Sequence, residues 1–192
     1  MAAAFSTLAA CAGMPLSTMW HFRNFGPKDF LQTDPSAVRA AIQLDDGVSL
    51  GSTPPELNVA LKFKDEPEQK FKMPLVVLKE GPWVGAGTGK AEAGKHWYLL
   101  SLSDKGVRAY RQLQQTLNGN LDATGHFRKH GSFTVGVRTN ALRYSDAAEE
   151  RLHKTGSLFL QSRLELSAKD GFYTLYKGDL KMAPQTVDTG AS

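Results

Sequence analysis

The chain carries a single cysteine in 192 residues. One thiol excludes an intrachain disulfide framework and any zinc site built on several thiolates. The sequence also lacks an apolar run of the roughly 18 residues that a helix needs to cross a bilayer. Charge of one sign is scarce: 23 Lys and Arg against 19 Asp and Glu leave a net +4, spread along the length. That favours anionic surfaces weakly and is not the concentrated basic face of a nucleic-acid-binding domain. No internal repeat of about 20 to 50 residues is present, which excludes solenoids and propellers. What remains is ordinary for a globule: 41% hydrophobic and 22% charged residues suit one domain able to bury a core.

Hydrophobic alternation carries most of the fold signal. Val38, Ala40, Ile42 and Leu44 alternate with Arg39, Ala41 and Gln43, and Leu57, Val59, Leu61 and Phe63 alternate with Asn58, Lys62 and Lys64. This period of two marks strands with one wet face. Asp65-Glu66-Pro67-Glu68 is turn-like, and Phe71, Met73, Leu75 and Val77 continue the alternation, so residues 57–78 read as a hairpin. Pro74 has no ladder donor, which predicts an edge or a bulge there. Further strands are expected around Tyr98–Leu102, from Phe133 towards Tyr144, at Leu158–Leu166 and at Phe172–Met182. The last two are joined through the hairpin signal Asp170-Gly171.

One helix is expected from Asp104, its plausible N-cap, with Val107, Tyr110, Leu113 and Leu117 on one face and Asn118-Gly119 as a stop. A shorter helical turn is expected at Asp146, with Glu149 as a capping-box partner. Strands in runs with one inserted helix predict a mainly β fold, an antiparallel β-sandwich or open barrel of about seven strands with one flanking α-helix. The expected organisation is a signal-peptide remnant at 1–10, a tether with an aromatic segment at 11–34, a β-rich domain at 35–183 and a disordered tail at 184–192. Trp20, Phe22, Phe25 and Phe30 make the segment from Met14 to Asp34 too aromatic for a simple tether, so it is expected to pack onto the domain.

The motifs for catalysis fail on spacing. Gly85-Ala86-Gly87-Thr88-Gly89-Lys90-Ala91 has Val84 and Ala91 where a phosphate loop needs Gly and Ser or Thr, so it reads as a mobile loop. His126 and His130 are spaced for a metal on a helix, but Gly125 and Gly131 bracket a segment that is not helical. No Ser lies in a nucleophile elbow, and Asp45-Asp46 and Glu149-Glu150 are neighbours that a strand would turn opposite ways. The sequence therefore predicts no catalytic residues, no metal and no cofactor.

Two features point to binding. Ala2 to Ala10 are uncharged and small to apolar, and they run into Leu8-Ala9-Ala10-Cys11. These four residues resemble the lipobox of bacterial lipoproteins. That resemblance implies diacylglycerol on the Cys11 thiol, removal of residues 1–10 and acylation of the new amino terminus. Only a thiol serves as nucleophile toward the lipid donor, and several acyl chains suffice for stable anchoring. It further implies a lipid-anchored protein of the bacterial cell envelope. Ala12 in place of Asp leans toward the periplasmic face of the outer membrane. The first basic residue, Arg23, follows the cysteine, whereas a signal peptide carries its basic residues at the start.

The second feature is the expected hairpin, where Lys62, Lys64, Lys70 and Lys72 alternate onto the polar face and form one basic patch. Such a patch suits an envelope protein or an anionic glycolipid as partner, or serves edge protection alone. A nucleic-acid partner is not expected, because Phe63, Phe71 and Met73 point the other way. The expected function is thus a lipid-anchored, non-catalytic binding or assembly role. The alternatives are a periplasmic hydrolase with a site assembled only in three dimensions, and a cytoplasmic β-rich domain with a chance lipobox.

Overall fold

The computed structural model describes residues 26–85 and 87–181. In chain order the elements are α1 (Pro27–Gln32), a 3-10 turn (Pro35–Ala37), β1 (Arg39–Asp45), β2 (Val48–Leu50), β3 (Glu56–Phe63) and β4 (Gln69–Gly81). Then come β5 (Lys95–Leu102), α2 (Asp104–Asn120), β6 (Gly131–Arg138), β7 (Leu142–Tyr144), α3 (Asp146–Thr155), β8 (Ser157–Glu165) and β9 (Tyr173–Lys181). Seven strands form one antiparallel sheet in the order β6-β3-β4-β5-β1-β8-β9. Its two end strands, β6 and β9, lie against each other, so the sheet is nearly closed and barrel-like. β2 and β7 pair separately as a small flap.

The alternation decides what faces inward. Ala40, Ile42 and Leu44 of β1, Leu57, Val59, Leu61 and Phe63 of β3, Tyr98, Leu100 and Leu102 of β5, and Leu158, Leu160 and Leu164 of β8 share one core. Burying an aliphatic side chain of this size stabilises by about 1.5–3 kcal/mol, so the barrel interior dominates stability.

α2 adds Tyr110, Leu113 and Leu117 to that core. Its N-cap is Ser103, one residue before the expected Asp104: the Ser103 hydroxyl oxygen accepts from Gly106 N at 3.1 Å. Likewise Ser145, not Asp146, caps α3, accepting from Ala148 N at 3.3 Å. Ser and Asp are both good caps, and only the backbone geometry chooses between neighbours. α2 also runs through Asn118-Gly119 to Asn120.

α1 was not expected. Phe30 is buried, stacks on Tyr110 at 5.9 Å and meets Phe133 edge-on at 5.0 Å. Tyr110 Oη donates to Phe30 O at 3.1 Å, and Gln114 Nε2 lies 2.8–3.2 Å from the carbonyls of Phe30, Leu31 and Thr33. Phe30 thus packs onto the domain as the aromatic segment was expected to. Trp20, Phe22, Phe25 and the rest of that segment before Gly26 lie outside the described residues, as do Cys11 and the tail.

β4 explains the proline. Residues 69–74 pair only with β3, ending at Glu56↔Pro74, and residues 75–81 pair only with β5, starting at Leu75↔Leu102. Pro74 stands at the hand-over, where neither ladder needs its missing N–H. Its carbonyl accepts from Ser103 N and the Ser103 hydroxyl, both at 3.0 Å. The irregularity in the ladder lies further on, between Val77 and Lys79.

Candidate binding edge and basic face

Because its partners change, β4 is a single-sided strand along its whole length. α2 packs against β4, its start set on the Pro74 carbonyl, which Ser103 bonds and Gly106 approaches. A Cβ on Gly106 would collide with the Pro74 carbonyl oxygen, so this contact needs glycine at the third position of the helix. Among the described residues, nothing covers residues 75–81 in this way. β3 does not extend that far because Pro54-Pro55 precedes it, and Pro55 O takes only Leu75 N, at 2.8 Å.

The open stretch is apolar. Val76, Val77 and Leu78 are 45%, 47% and 52% exposed and Trp83 is 54% exposed, and these are the large hydrophobic residues left exposed among the described residues. Lys79 Nζ lies 4.9 Å from the Trp83 ring centroid. An unpaired row of backbone donors and acceptors flanked by aliphatic side chains is a template for strand addition. The irregularity at Val77–Lys79 and the prolines at one end restrict that template to a short window.

Of the four lysines, three share a face of the sheet. Ala60↔Lys70, Asn58↔Lys72 and Lys62↔Ser132 put Lys62, Lys70 and Lys72 on one outward face, and Phe63 and Met73 are buried on the other. Asn58, Ala60, Lys70, Lys72, Thr134 and Arg138 line a shallow groove of about 300 Å³ there. The acidic turn weakens the patch, however. Lys70 pairs with Glu68 at 2.9 Å, Lys62 Nζ donates to Glu66 O at 2.7 Å, and Lys129 from the β6 side pairs with Glu66 at 2.6 Å. Lys64 stands beyond the end of β3, in the turn, with its backbone N–H on His130 O at 2.9 Å. Lys64 and Lys72 form no ion pair among the described residues.

A third cluster escaped the sequence because its members come from three elements. His96 Nδ1 lies 3.2 Å from Asp46 Oδ1, its Nε2 lies 3.7 Å from Glu80 Oε1, and its ring meets Tyr98 edge-on at 5.0 Å. Burial, reinforced by the Glu80 carboxylate, pushes the Tyr98 hydroxyl up to about 12. Asp46 also lines a groove of about 480 Å³ with Gly47, Ser145, Glu150, Arg151 and Lys154. The Ser145 hydroxyl in that groove is spent on the α3 cap. Asp45 turns the other way, accepting from Phe159 N at 2.9 Å, as strand alternation predicts. His126 and His130 are exposed in the loop after α2, where Asp122 accepts from Thr124 and His126, and those bonds hold its carboxyl down near 2. Among the described residues, no three His, Cys, Asp or Glu side chains are arranged so that they could hold a metal ion.

No protein-family model, curated protein or solved structure matches the chain. What fold and surface define is a barrel-like β module with one open, apolar strand edge.

Proposed function

We propose that this chain is a lipid-anchored protein of the bacterial cell envelope that acts by binding or assembly rather than by chemistry. Acylated Cys11 holds it at the membrane, and β4 takes a strand from an envelope protein. The observation that carries the reading is the apolar, unpaired edge at Val76–Leu78 beside exposed Trp83. Adding a strand there satisfies the open backbone groups and covers aliphatic surface on both faces at once. The lysine face supplies weak, salt-sensitive steering rather than affinity, because the acidic turn occupies two of its lysines.

Two measurements test it. Intact mass of the protein, expressed in a Gram-negative host from its native upstream DNA, should show residues 1–10 removed and acyl chains added, with both changes lost in Cys11→Ala. An unmodified chain retaining Met1 rejects the anchor. In the same cells a photo-crosslinking residue at Leu78 should give a discrete adduct that the same residue at exposed Gln112 does not. Equal labelling from both positions rejects the edge.

A further inference from the structure

Outside the edge and the lysine face, the barrel's outer surface holds a buried polar cluster. Gln43 of β1 stands directly across from Trp97 of β5 and from Gln161 of β8, and Arg163 is the next outward residue on β8. Gln43, Trp97 and Gln161 are 2%, 1% and 3% exposed, unusual for outward-facing positions of a small barrel. The cover is the glycine-rich segment between β4 and β5, read from sequence as a mobile loop. Residues 82–85 and 87–91 form the two limbs of a closed strap, its neck tied by Ala91 N donating to Pro82 O at 2.8 Å. Val84 and Ala91 press on Trp97, with Leu99 and Phe172 beside them. Below the neck, Glu92 is pinned by Lys95 and Lys177 at 2.5 and 3.1 Å, and those bonds lower its carboxyl pKa.

Two groups beneath the strap lack what their chemistry calls for. The Trp97 indole nitrogen is buried with no hydrogen-bond partner among the described residues. Arg163 stands over the Trp97 ring at 4.8 Å, and no carboxylate among the described residues pairs with it. Its guanidinium makes do with neutral acceptors: Nη1 donates to Thr88 O at 2.8 Å and to Gly87 O at 3.4 Å. With the Gln161 amide oxygen turned toward it, Nε and Nη2 donate there at 3.0 and 3.1 Å, while the amide nitrogen donates to Gln43 Oε1 at 3.1 Å. A planar guanidinium with no counter-ion, set beside an unused indole donor, is a donor set for a carboxylate. The strap's two carbonyls stand in for its two oxygens.

We infer that the outer face of β5 and β8 under residues 82–85 and 87–91 is a binding site for a small organic carboxylate, with Arg163 as the anion's partner and Trp97 as wall and indole donor. The strap is its lid. A carboxylate displaces the Gly87 and Thr88 carbonyls from Arg163 and takes the Trp97 N–H, while Leu99 and Phe172 supply an apolar wall for the ligand body. Gly85, Gly87 and Gly89 have φ of 154°, 89° and 75°, so the closed strap depends on conformations that side chains oppose.

The test uses the full chain with Cys11→Ser, which removes acylation and leaves the site intact. Sodium benzoate is titrated at constant ionic strength while the tryptophan indole N–H resonances are followed by NMR, with the Trp97 signal assigned from Trp97→Phe and benzamide as the neutral isostere. Benzoate should move the Trp97 resonance saturably, in the millimolar range, and leave that of Trp83 in place; benzamide should not move it. Arg163→Gln should weaken benzoate at least about tenfold, and Arg163→Lys, which keeps the charge and loses the fork, should weaken it less. Gly89→Ala gives the opposite sign. Its Cβ meets nothing within 4 Å, but φ of 75° strains the closed strap, so benzoate should bind about two- to tenfold tighter. A Trp97 resonance that stays put to tens of millimolar benzoate, or responds equally to benzamide, overturns the site. Unchanged affinity in Gly89→Ala overturns the lid.

Discussion

The two halves of β4 are one strand treated in two ways. Residues 69–74 are paired with β3 and covered by α2, and Met73 there is fully buried. Residues 75–81 are paired with β5 and, past Leu75, left bare on the far side among the described residues, with three consecutive aliphatic residues about half exposed. The side chains do not differ enough to account for this, since Val76-Val77-Leu78 is as apolar as anything in the first half. The neighbours decide. A helix begins where β5 ends and falls across the first half, while Pro54-Pro55 stops β3 short of the second. Exposure at an edge is thus a property of what the adjoining chain does next.

The comparison breaks most sharply at Met73. Met73→Ala should cost about 2–5 kcal/mol in urea unfolding, whereas Leu78→Ala, five residues on, should stay within about 0.5 kcal/mol. Comparable losses at both positions would show that the second half is covered. Next comes the helix contact. Gly106→Ala drives a Cβ into the Pro74 carbonyl oxygen and the Leu102 side chain, so a loss of about 1–3 kcal/mol is expected, with faster amide exchange in residues 69–74 than in 97–101. A neutral effect would place α2 elsewhere.

A smaller effect sharpens the bare half at its far end. The Tyr98 hydroxyl, raised from 10 to about 12, favours the folded state in its neutral form. Its contribution is fully present below pH 10 and is lost as the pH rises through about 12. Tyrosinate absorbance should show late-titrating phenols, Tyr110 among them, and the one lost in Tyr98→Phe should titrate earlier in Glu80→Gln while burial keeps it above the ordinary value. No response to Glu80→Gln would separate β4 from the His96 cluster. Smallest of all, Lys70→Ala should shift stability by under about 0.5 kcal/mol, because its pair with Glu68 is exposed. A larger loss would mean that the lysine face holds the first half of β4 together.

Much of the fold was legible in the residues. Alternation located β1, β3, the start of β4, β5 and β8, and the apolar face of α2 was correct at Tyr110, Leu113 and Leu117. Of the two architectures left open, the contact of β6 with β9 selects the barrel. α1, β2 and β7 were not legible, because elements of three to six residues show fewer than two full periods of a pattern. β7 in particular was merged with β6, although it pairs with β2 instead. On the surface, the shared face of Lys62, Lys70 and Lys72 could be counted out by twos. Their engagement by Glu66 and Glu68 could not, since it depends on how the turn folds back.

By itself, the sequence determined the class of fold, the side of each long strand that is buried, and the lipobox-like stretch at Cys11, because these depend on period, residue type and order alone. Only the tertiary structure decided that Val76–Leu78 would be bare, that His96 would meet Asp46 and Glu80, and that Trp97 and Arg163 would share the cover of one strap. Those outcomes depend on which strands become neighbours and where each stops. Neighbours in a sheet are set by closure of the whole barrel, which no local stretch of residues encodes.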